Sequence, residues 1–114
     1  MEIEGVYWVQ FAAFTGMWGN GIMVLDQGRA AGGDPGFTYV GRYQVENGIF
    51  KAELAITRYA EGGFAPLPLG ETIGLTFTGP VKEGAEPTIA ASGLVPGSTD
   101  LTVTATMKRV GKLG

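Results

Sequence analysis

The stretch Ile22–Tyr43, IMVLDQGRAAGGDPGFTYVGRY, decides the fold. It reads as three short strands joined by tight turns. Ile22–Asp26 runs into a turn at Gln27–Gly28, and Arg29–Gly32 follows. Gly33–Asp34–Pro35–Gly36 then turns the chain into Phe37–Tyr43. Proline presets one dihedral of that turn and glycine accepts positive φ.

Downstream the pattern continues. Phe37, Tyr39, Gly41, Tyr43 and Val45 share one face, and Thr38, Val40, Arg42 and Gln44 the other. Asn47–Gly48 is the strongest short hairpin signal in the chain, because a type I′ turn needs positive φ at both central residues. It joins Phe37–Glu46 to Ile49–Tyr59, where Phe50, Ala52, Leu54 and Ile56 face the core. Residues 61–70 form the longest break, a covering segment whose Phe64, Leu67 and Leu69 are candidates to close one end. Glu71–Thr78 is a sixth strand, ended by a turn from Gly79–Pro80 to Gly84. Pro87–Val95 is the seventh and Leu101–Arg109 the eighth. In the last, Leu101, Val103, Ala105 and Met107 alternate with Thr102, Thr104, Thr106 and Lys108.

Upstream, Gly5–Phe14 alternates with both faces apolar. Tyr7, Val9, Phe11 and Ala13 form one set, and Val6, Trp8, Gln10, Ala12 and Phe14 the other. A strand apolar on both faces is covered on both. One cover is the core; the other is a helix, the chain ends or a partner subunit. Met17–Asp26 follows, with Gly19 and Gly21 two apart, as at a sharp bend or close backbone approach.

The expectation is an all-β fold: eight strands in an antiparallel meander, closed into a small barrel, residues 1–114 as one domain. An open β-sandwich is the second choice, since closure removes exposed edges. Small core residues beside Tyr7, Phe11, Tyr39, Tyr43 and Leu54 fit two interiors. One is a tapered packed core; the other is an apolar cavity lined by those five side chains. Val6, Trp8, Phe14 and Trp18 are the candidate outer surface for a dimer or another partner, since tryptophan is enriched at binding hot spots.

Composition narrows the function. The 114 residues carry a net charge of −3, which argues against direct nucleic-acid binding. The only basic cluster, Lys108, Arg109 and Lys112, reads as a solvated chain end. There is no cysteine for a disulfide or thiolate, and no histidine, the usual general base and commonest metal ligand. The N-terminus lacks a secretory pattern, and no apolar run is long enough for a membrane helix. A cytoplasmic protein without membrane attachment is expected.

No motif carries chemistry. Gly32-Gly33-Asp34 lacks a following lysine or second acid, so Asp34 reads as a turn cap. Gly19-Asn20-Gly21 lacks the third glycine and helix of a dinucleotide site. Gly16-Met17-Trp18 spells the lipocalin G-x-W, but in the second strand rather than the first. The acids flank turns or lie on exposed faces and form no dyad or metal cluster. No catalytic residue, metal or cofactor is expected, and an enzyme is the least favoured class.

The order Gly5-Val6-Tyr7, Phe11, Gly19 and Gly21 leading into Ile22-Met23-Val24, Gly32-Gly33-Asp34, then Tyr39 with Gly41, resembles the GrlR family of negative regulators associated with type III secretion. Arg58-Tyr59 at the end of a long strand fits the same order. The resemblance is clearest over Gly5–Tyr59 and thinner after Gly70. It implies a lipocalin-like eight-stranded barrel, a cytoplasmic homodimer and a non-catalytic role. That role is the binding and sequestration of a DNA-binding transcriptional activator. One departure accompanies it: where family members carry an acidic surface run, this chain has Val45-Glu46-Asn47-Gly48, with a single acid. The alternative function is a carrier or sensor of a small apolar ligand held inside the barrel.

Overall fold

Apolar–polar alternation, interrupted at the turn residues, produces eight antiparallel strands in the computed structural model. It describes residues 3–13, 18–60, 69–94 and 102–113. The strands are β1 (Gly5–Ala13), β2 (Trp18–Asp26), β3 (Arg29–Gly33), β4 (Phe37–Glu46), β5 (Ile49–Arg58), β6 (Thr72–Lys82), β7 (Thr88–Leu94) and β8 (Thr102–Gly111). Each pairs with the next, and β1 pairs with β8, so the sheet is a closed barrel in sequence order. Closure leaves no strand edge exposed, the outcome expected over an open sandwich.

Two-residue turns set the register as the sequence required. Gln27 and Gly28 have φ of 49° and 81°, and Asn47 and Gly48 have 54° and 75°. Both pairs are therefore in the left-handed region that a type I′ hairpin needs. The second turn places Gly41 opposite Leu54 and Tyr39 opposite Ile56.

The expected turn at Gly79–Pro80 is instead part of β6, which runs on to Lys82. Pro80 sits opposite Ile49, and the Val81 amide donates to the Gly48 carbonyl at 2.9 Å. Pairing with β7 is recorded at Thr78, Val81 and Lys82 and skips Gly79 and Pro80. Proline has no N–H to give the ladder, so the strand passes through with a local gap rather than stopping.

The inward set buries Tyr7, Val9, Leu25, Ala52 and Ile89 with no measurable exposure. Two placements differ from expectation. Arg109 is not part of a solvated end: it faces inward and is 7% exposed. It stands opposite Tyr7 across the β1–β8 seam. Leu69, a candidate end closure, is 56% exposed; its companions Phe64 and Leu67 lie outside the described residues.

Candidate functional site

A barrel can act through its interior, its ends or its outer face. The interior void has a volume of about 10 Å³, bordered by Phe11, Leu54, Met23, Phe50, Phe77 and Met107 among others. That is about the space of one water molecule. Of the five candidate lining residues, Phe11 and Leu54 border this void. Tyr7 and Tyr39 are buried in the core, and Tyr43 is half-buried against it. Phe11 packs on Tyr39 with ring centres 5.2 Å apart, and Tyr43 stacks on Phe50 at 5.9 Å. These contacts place aromatic area in the interior.

At one end, side chains of β1 and β8 tie the chain before β1 and the β6–β7 turn together. The Arg109 guanidinium donates to the Glu4 carbonyl at 3.3 Å and the Ala85 carbonyl at 3.2 Å. The Tyr7 hydroxyl donates to the Ile3 carbonyl at 2.5 Å. Burial pushes the Tyr7 phenol up to about 12, against the lowering influence of Arg109, and Tyr43 adds to the rise. Burial also raises Tyr43 and Tyr39. A phenol that resists ionisation in the fold ionises first in the unfolded chain. Its stabilising contribution is therefore whole below pH 10 and is lost as pH rises toward 12. The thermal midpoint is expected to be flat up to about pH 9.5 and to fall steeply beyond pH 10, with a shallower alkaline fall in Tyr7→Phe. Melts followed by circular dichroism from pH 8 to 12 check this.

At the β3–β4 turn, Asp34 organises the backbone. One carboxylate oxygen accepts from the Gly36 and Phe37 amides, both at 2.8 Å, and the other accepts from the Tyr39 hydroxyl. The Tyr59 hydroxyl donates to the Asp34 carbonyl at 2.7 Å. Besides burial, the bond to Asp34 and its negative charge raise Tyr39. This agrees with Asp34 as a turn cap: its carboxylate oxygens are already taken by protein donors. Among the described residues no group of three or more His, Cys, Asp or Glu is placed to hold a metal ion. No helix there is long and apolar enough to cross a membrane, a statement that does not extend to strands.

The outer face is divided. On β6, β7 and β8 it carries hydroxyls, Thr76, Thr78, Ser92, Thr104 and Thr106 being exposed, with Leu94 and Val110 exposed toward the strand ends. On β1 to β5 it carries an apolar row. Val6 lies opposite Val24, Val24 opposite Ala31, Ala31 opposite Val40 and Val40 opposite Ala55. Beside that row Trp8 pairs with Ile22; they are 41% and 44% exposed, and Val40 is 59%. Of the candidate surface residues, Val6 is half-buried and Trp8 exposed. Trp18 is placed on β2 opposite Ala12, its side chain lying outside the description, as does Phe14 altogether. Sequence reasoning missed Ile22 and Val40. Their signal was alternation: Met23 and Leu25 turn inward, so the equally apolar Ile22 and Val24 turn out.

On the other side of the apolar row lies a charged one. Asp26 is opposite Arg29, Arg29 opposite Arg42, and Arg42 opposite Glu53. The Glu4 carboxylate accepts from the Gln27 amide at the β2–β3 turn. Apolar and charged rows side by side suit recognition of another surface.

Comparison with known proteins gives one family. A sequence model described as the T3SS negative regulator GrlR matches residues 2–98 of the chain. No curated protein matches it.

Proposed function

The chain belongs to the GrlR family of type III secretion negative regulators, and from that premise we propose that it acts by binding a protein partner on its outer surface. The partner is a DNA-binding transcriptional activator, held inactive without catalysis. The setting is the cytoplasm, and the acting unit is a homodimer.

The observation that carries this reading is the exposed apolar row on the outer face of β1 to β5, since such patches mark interaction sites. With a void of about 10 Å³, the barrel offers far less than the 300 Å³ or so of a small-molecule site. Among the described residues this void supports an acting exterior over the carrier or sensor alternative. The β4–β5 turn contributes only Glu46 to an acidic contact, so recognition of a basic partner rests less on that turn than in acidic-run relatives.

The test has two parts. Native mass spectrometry of protein purified from its own cell is expected to show twice the polypeptide mass and nothing more; a stoichiometric apolar ligand would favour the carrier. Cross-linking in that cell is expected to capture a DNA-binding protein, and adding the purified chain should release that protein from its DNA in a gel-shift assay. Undiminished DNA binding at saturating chain would defeat the sequestration reading.

A further inference from the structure

We infer that Arg29 and Arg42, with Lys51 beside them, form a carboxylate-binding site on the outer face of β3 to β5 that holds an acidic segment of the partner protein. The inference rests on the partner reading above and adds to it the sign of the charge that the partner brings.

The ladder sets how close these side chains stand. The Tyr43 amide donates to the Gly28 carbonyl at 2.9 Å. Along an antiparallel pair, hydrogen-bonded and non-hydrogen-bonded positions alternate. Arg29 and Arg42, the next register pair, are therefore non-hydrogen-bonded, the close kind with Cα atoms about 4.5 Å apart. Asp26 faces Arg29 across the two-residue turn, and Glu53 faces Arg42. By the same alternation both of these are the wide kind, about 5.5 Å. The two cations thus stand nearer to each other than either does to its acid. All four side chains are exposed. Among the described residues neither guanidinium is hydrogen-bonded or ion-paired. Like charges directly opposite destabilise a sheet, and an anion seated between them removes that penalty.

The planar guanidinium fork matches an oxyanion. Lys51, opposite Gln44 and diagonal to Arg42, reaches the same anion. Three cations against two flanking acids leave one excess positive charge, which suits a carboxylate. A phosphate, at about −1.5 to −2, would meet Asp26 and Glu53 as well. The site continues the apolar row: on the same outer face Ala31 is two residues from Arg29, and Val40 two from Arg42. A partner seated on that row carries its neighbouring residues over the arginines.

Fluorescence anisotropy of the purified full chain at low ionic strength tests the site, with labelled oligoglutamate and oligolysine of equal length as probes. Oligoglutamate is expected to bind although the net charge of −3 opposes it. Arg42→Glu and Arg29→Glu should each weaken that binding at least about tenfold. Lys112→Glu, the same charge change at an exposed position after β8, should alter it less than about twofold. Arg42→Gln removes the like-charge pair, so it should weaken binding without lowering the thermal midpoint. Oligolysine bound in preference, or equal effects of Arg42→Glu and Lys112→Glu, would overturn the site. Displacement by inorganic phosphate but not by acetate, at constant ionic strength, would reassign it to phosphate and overturn the carboxylate. Cross-linking in the cell separates this inference from the reading beneath it. Capture of a DNA-binding protein that Arg42→Glu leaves undiminished overturns the inference and keeps the partner. No capture by the unaltered chain, with oligoglutamate still bound at the arginines, keeps the site and removes the partner reading.

Discussion

Replacing Gly41 by alanine is expected to cost at least about 3 kcal/mol of stability. A Cβ at that position would lie 1.8 Å from the Glu53 carbonyl oxygen and 2.9 Å from its carbon. The obstacle is the backbone of β5, directly across the β4–β5 ladder. A side chain in the way can rotate, whereas a paired strand moves only by breaking its register. In a domain of this size the loss corresponds to a drop in thermal midpoint on the order of 15 °C. Gly74→Ala is the control: nothing lies within 4 Å of its Cβ, and its effect should stay within about 0.5 kcal/mol. Equal midpoints for the two variants would show that the β4–β5 approach does not hold the barrel together.

Asp34→Ala is expected to cost about 3–4 kcal/mol, for two reasons that add. Two backbone amides lose a charged acceptor, and the Tyr39 hydroxyl, on a residue 3% exposed, loses its partner. The second part can be isolated. Tyr39→Phe in the Asp34→Ala background removes the orphaned hydroxyl and should recover about 1 kcal/mol or more, giving a positive coupling in a double-mutant cycle. Strict additivity in denaturant melts would mean that the hydroxyl is satisfied some other way. Asp34→Asn keeps an acceptor for the turn amides and should fall between the native chain and Asp34→Ala.

Much of this architecture was legible in the residues because a strand announces itself twice, by alternation within it and by turn chemistry at its ends. Asn47–Gly48 gave the β4–β5 hairpin and its register, and Asp34–Pro35–Gly36 the start of β4. The resemblance resting on Gly32-Gly33-Asp34, Tyr39 and Gly41 pointed to the family that the match over residues 2–98 establishes. What stayed hidden has physical causes. Gly79–Pro80 reads as a stop, since proline lacks a ladder donor; only the closed sheet carries β6 through it. Arg109 reads as exposed by its charge, although its place in the alternation of β8 is inward. A hollow and a filled interior share the same inward residues. The difference lies in how closely opposite walls approach, which no single strand reports. The outer stripe was readable on β1 alone, and its continuation to Ile22 and Val40 emerged only with the cross-strand register.

The pairing of β1 with β8 has a consequence for the chain during synthesis. Tyr7 meets Arg109 across that seam, and Ala12 meets Thr104. At translation rates of about 5–20 residues per second, β1 therefore waits on the order of ten seconds for the strand that completes it. Through that interval one of its edges is open, and its sequence, GVYWVQFAA, has the high β-propensity, low charge and absence of proline that favour intermolecular pairing. A nascent chain stalled before residue 102 would present this edge indefinitely, so C-terminal truncations should partition to aggregates and chaperones rather than accumulate as partly built barrels.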